Sequence, residues 1–176
     1  MLPQTSSRTA VASSPAAEPT ARQDSRPAEV AELLAKVAAL LESGHARKAL
    51  ELLQRWKVKS PWVTNAMAVC MMRLEDAPRS VQLLKGLVIT SGVCFRNDVP
   101  AVFLINFATA LLLTNNISGS KDALGMVPDQ HAPGVVRLRD AIRRWWTELS
   151  FWQKLRWYWG DTLDHPVQLD FPPGEI

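Results

Sequence analysis

What most constrains this chain is its punctuation. Apolar residues recur at three- and four-residue spacing in one segment after another, and each segment is cut short by Gly, Pro or a capping Ser or Asp. From Pro27 to Ala46, the residues Val30, Leu33, Leu34, Val37, Leu40 and Leu41 mark one face of a helix, closed by Ser43-Gly44. Ala46, Ala49, Leu50, Leu53 and Trp56 stripe a second helix. Ser60-Pro61 pairs an N-cap with a proline at the first helical position, and opens a third helix that runs to about Leu74. Asp76 and Pro78 start a fourth, carrying Val81, Leu84, Leu87 and Val88 and ending around Ser91-Gly92. Asp98 and Pro100 repeat that signal for a fifth. This helix is apolar on nearly every side, so it belongs in the middle of the body. Its run from Val99 to Leu113, broken by Asn106 and Thr109, falls short of the ~20 residues needed to cross a bilayer.

Beyond it, Asn115 to Ser120 reads as a polar loop, and Lys121 to Val127 as a sixth helix stopped by Pro128. Val135 to Trp159 then forms one long C-terminal helix or a pair of shorter ones. The tail from His165 to Ile176 contains Pro166, Pro172 and Pro173 and should be extended. No segment shows strand alternation, so the expectation is all-α.

Three segments align internally. Leu34 lies fifteen residues before Ala49, and Asn65 fifteen before Ser80; Asn106 precedes Ala123 after an insertion of two residues. The run Gly44-His45-Ala46-Arg47-Lys48-Ala49-Leu50-Glu51-Leu52-Leu53, followed by Pro61, resembles the tetratricopeptide repeat family in its turn glycine, small second-helix residue and closing proline. The resemblance covers about residues 28–127 and departs from the family in three respects. The spacings Ala49 to Ser80 and Ser80 to Ala123 are unequal, Glu75 replaces a turn glycine, and Leu40, Met71 and Leu112 stand where a large aromatic is usual. It implies a right-handed stack of antiparallel helix hairpins, a solenoid, over residues 27–160, with a Trp-rich capping helix at 135–159. Small residues at Ala49, Ser80 and Ala123 would let the helices of each hairpin cross closely. Residues 1–26 read as a disordered leader without an apolar signal region, and 161–176 as the tail.

The chemistry of catalysis is not visible. His45, His131 and His165 lie far apart and next to turns, no metal-ligand spacing or phosphate loop occurs, and Cys70 and Cys94 read as reduced, buried thiols of a cytoplasmic protein. The expectation is a non-enzyme with no cofactor, no metal and no small-molecule substrate. A net charge of +3 is too small to argue for nucleic acid.

Function is therefore expected in binding. The resemblance implies an adaptor that holds a protein or peptide partner in a groove lined by the first helices of the hairpins. Asn65 and Asn106 would occupy the same place in successive repeats and offer amides to a peptide backbone, with Met72 and Arg73 beside them. Arg73 and Lys36 are the nearby cations.

The alternative is a peripheral membrane-associated protein. Five of the seven tryptophans fall between Arg143 and Trp159, and from Leu138 onward Leu138, Trp145, Trp152 and Trp159 recur every seven residues with Ile142 and Leu149 between them. A capping helix that buries this stripe is the expected arrangement, with Lys154, Arg156 and the off-stripe Trp157 left to touch a partner or a membrane surface.

Overall fold

The structure, a computed structural model, describes residues 25–90, 94–96, 98–159 and 165–176, with side chains from residue 28 onward. The leader, apart from its last two residues, lies outside the described residues, as do Ser91-Gly92 and 161–164. Among the described residues the chain is all-helical: α1 (Ser25–Glu42), α2 (Ala46–Gln54), α3 (Pro61–Arg73), α4 (Ala77–Val88), α5 (Ala101–Leu113), α6 (Ile117–Gly125), α7 (Pro133–Glu148) and α8 (Phe151–Tyr158). An isolated antiparallel bridge joins Ile89 and Phe95.

One turn is used three times. Gly44, Glu75 and Asn115 each take a left-handed backbone, with φ of 77°, 63° and 60°. In each, the next amide donates back into the preceding helix: His45 to Leu40 O at 2.8 Å, Asp76 to Met71 O at 2.9 Å and Asn116 to Leu111 O at 2.8 Å. This bond satisfies a carbonyl that the helix end leaves open. The following helix then starts immediately. Asp76 and Asn116 accept from the backbone N–H of Arg79 and Gly119, which are N-caps in the ordinary sense.

The turns also correct the internal alignment. Five residues past each turn stand Ala49, Ser80 and Ser120, all fully buried, so Ser120 and not Ala123 is the third small residue at the crossing. The Ser80 and Ser120 hydroxyls find no hydrogen-bond partner, so size is what the position selects. Measured from its turn, Asn65 stands one position earlier than Asn106, so the two asparagines are not strict equivalents. The segment expected to be a loop from Asn115 to Ser120 is mostly the first turn of α6, which begins at Ile117 because Asn116 caps it. Asp98 does not start α5; it pairs with Arg96 at 3.2 Å, and the helix begins after Pro100.

The core follows from this arrangement. Each of α1 to α5 packs on the next in sequence, while α1, α3, α5 and α7 also touch in succession along one side. Helix α5 sits in the middle, with every residue from Phe103 to Leu112 buried. Cys70 is buried as expected, whereas Cys94 is exposed.

The C-terminal region takes the paired form, broken at Leu149-Ser150. The Ser150 side chain accepts from Gln153 N while Gln153 Oε1 accepts from Ser150 N, a reciprocal cap that starts α8 afresh.

Candidate functional site

The face where α3, α5 and α7 meet is occupied by the chain's own tail. His165 to Ile176 is extended, as its prolines require, and lies against these helices. Trp145 Nε1 donates to His165 O at 2.7 Å, Val167 is buried, and Arg144 pairs with Asp170 at 2.9 Å. The Arg137 guanidinium lies 5.2 Å from the centre of the Phe171 ring and also pairs with the Glu175 carboxylate.

Asn106 makes the central contact. Its Oδ1 accepts from Glu175 N at 2.9 Å, and its Nδ2 donates to Glu175 O at 2.7 Å and to Asn65 Oδ1 at 2.9 Å. One side-chain amide thus saturates both main-chain groups of a single tail residue, reading the backbone and not the side chain. Asn65 stands behind it, fully buried, and orients Asn106 without touching the tail by any hydrogen bond. Its own Nδ2 has no hydrogen-bond partner. Arg73 closes the other side: Nε donates to Pro173 O at 2.6 Å and Nη2 to Gly174 O at 3.3 Å. Its partial burial lowers its pKa from the ordinary arginine value.

Gly174 is read sterically. It has φ of 83°, and a Cβ there would lie 2.8 Å from both Met72 Cε and Val69 Cγ1. Met72 therefore shapes the groove wall. A second close approach is at Gly134 in α7, where a Cβ would stand 2.9 Å from Ile105 Cγ2 and 3.3 Å from Glu175 Oε1.

The structure thus brings Asn65, Met72, Arg73 and Asn106 to one place. Lys36 stands apart, on the exposed side of α1 with Glu32 at 2.7 Å. The sequence reading missed the partners of the four: Gly174, Glu175 and Arg137 are assembled from segments far apart in the chain. Their contact-forming character shows only as a glycine between two prolines and an acid.

The second region is α7 and α8. The expected buried stripe stops at the break. Leu138, Ile142, Trp145 and Leu149 are core, but Trp152 and Trp159 are 71% and 77% exposed. Trp157, expected to face outward, turns inward instead. Its ring lies 6.4 Å from Trp145 and 5.3 Å from Trp146, both near-perpendicular. Lys121 Nζ sits 5.2 Å from the Trp157 ring centre, and Lys154 Nζ 5.6 Å from that of Trp146, which suits a cation over a π face. Between α6, α7 and α8 a cleft of about 500 Å³ is lined by Lys121, Arg139, Arg143, Trp146 and Trp157, with no acidic residue among them.

Among the described residues no catalytic constellation accompanies either region. Burial raises the Cys70 thiol to about 11, which keeps it protonated and unreactive at neutral pH. Among the described residues no group of three or more His, Cys, Asp or Glu could hold a metal ion, and no helix is long and apolar enough to cross a membrane. No family model, curated protein or solved structure matches the chain.

Proposed function

We propose that this chain is a non-catalytic protein-interaction module, a tetratricopeptide-like stack of helix hairpins that holds an extended peptide across α3, α5 and α7. The observation that carries the reading is the pairing of the Asn106 amide with both main-chain groups of Glu175. Nothing in that geometry depends on the tail being covalently part of the chain. A segment from another protein presenting an extended backbone, a glycine against Val69 and Met72, and an acid toward Arg137 meets the same groups. The tail then acts as a tethered competitor, and a partner gains access when the tail leaves. The three repeated turns support the hairpin stack.

Affinity purification tests the reading, using Gly174→Ala to free the groove and Gly174→Ala/Asn106→Ala to disable it. A partner retained by the first and lost by the second supports the proposal. Equal recovery by both removes Asn106 from the site.

A further inference from the structure

Helix α8 has no buried residue, yet seven of its positions and its C-cap are aromatic, apolar or cationic and none is acidic. At about 100° per residue, Tyr158, Phe151, Leu155, Trp159 and Trp152 fall in one arc of about 120°. Phe151, Trp152, Tyr158 and Trp159 are 72%, 71%, 81% and 77% exposed. Trp157 lies on the opposite side and fixes the helix to Trp145 and Trp146, so the arc points away from the body. Lys154 borders the arc on one side and Arg156 on the other by the same spacing. Four large exposed aromatics on one short helix are far more than the scattered apolar surface of an ordinary protein.

From this we infer that the outward face of α8 docks on an anionic phospholipid membrane, a surface separate from the groove and independent of its occupant. The chemistry fits a headgroup layer: Trp and Tyr rings enter the acyl boundary while their N–H and O–H tips stay wet, and flanking cations meet lipid phosphates. Charge complementarity favours this occupant over a second copy, because a symmetric pair on this face would bring the same Lys154 and Arg156 toward one another. Lys121 and Arg139 in the adjoining cleft add positive potential beside the helix, whereas Arg143 there is paired with Asp140 at 2.9 Å. Insertion is shallow, because α8 is only eight residues long.

The test is sedimentation of the full chain with phosphatidylcholine vesicles and with vesicles carrying phosphatidylglycerol, alongside Trp152→Ser/Trp159→Ser and Lys154→Gln/Arg156→Gln. Wild type should bind the anionic vesicles about tenfold or more tightly than the neutral ones, and the lysine-arginine variant should lose about that factor. The double serine variant should lose binding roughly tenfold or more while keeping its melting curve, since both rings are exposed. No sedimentation of wild type with anionic vesicles overturns the inference, and so does equal binding to both compositions. Self-association of wild type that the serine variant abolishes, without vesicle binding, would assign the face to a second copy.

Discussion

Replacing Gly174 by alanine should unlatch the tail without unfolding the helices. At φ of 83°, an L side chain costs about 1–2 kcal/mol. The added methyl also lies 2.8 and 2.9 Å from the two γ carbons of Val69. Met72 can withdraw its flexible end, but Val69 is β-branched and fully buried, so this contact adds about 1–3 kcal/mol of overpacking. The total, about 2–5 kcal/mol, acts on a segment whose hold is modest. Its C-terminal end is held by four hydrogen bonds with Asn106 and Arg73, each contributing about 0.5–1.5 kcal/mol. Even the lower figure raises the detached population about 30-fold, at about 1.4 kcal/mol per factor of ten. Hydrogen exchange reads this at the Glu175 amide, whose bond to Asn106 Oδ1 is 2.9 Å. That amide should exchange about 30 times faster or more, while Val69 and Ala108 keep their protection. Unchanged protection at Glu175 would refute the steric reasoning. A parallel collapse of α3 and α5 would show the tail to be an inseparable part of the core.

Other consequences follow from burial and backbone geometry. Glu75 is exposed at φ of 63°, so Glu75→Gly should relieve left-handed strain, offset by glycine's unfolded-state entropy, and raise stability by about 0.5–1 kcal/mol; a lower melting temperature would contradict this. Trp145 is 2% exposed and Trp152 71%, so Trp145→Ala should cost about 3–5 kcal/mol and Trp152→Ala less than about 0.5, compared by denaturant unfolding. In the native protein a maleimide should modify the exposed Cys94 quickly and the buried Cys70, with its thiol near 11, only after denaturation; rapid loss of both thiols would be inconsistent with a closed core.

The helices were legible where punctuation and period agreed. Pro61 and Asp76 each mark a start that the structure keeps, and the all-round apolar run of α5 does lie at the centre. Reading failed where a local signal was ambiguous. Gly119 suggested loop, yet it sits inside α6 with the Asn116 cap so close that a Cβ would be 3.0 Å from the amide. At Ser150, the capping sequence Ser-Phe-Trp-Gln was present and a pair of helices was one of the two readings, but the seven-residue tryptophan spacing pointed to one continuous buried stripe. The break rotates Trp152 and Trp159 off the core. For the groove, the sequence put Asn65, Met72, Arg73 and Asn106 on one face, although the turns set Asn65 one position earlier than Asn106, and it did not reveal their occupant. Prolines 172 and 173 specify an extended segment, but its docking depends on contacts some 70 to 100 positions apart that no local pattern encodes.

The groove should accept an extended peptide in trans. Titrating a fluorescent synthetic peptide of residues 165–176 into the Gly174→Ala chain and following anisotropy tests this. Saturable one-to-one binding is expected, abolished in Gly174→Ala/Asn106→Ala. Wild type should bind more weakly, by about tenfold or more, because its own tail competes at an effective concentration on the order of millimolar. Absence of binding to a correctly folded Gly174→Ala chain, or equal binding by all three proteins, would contradict the claim.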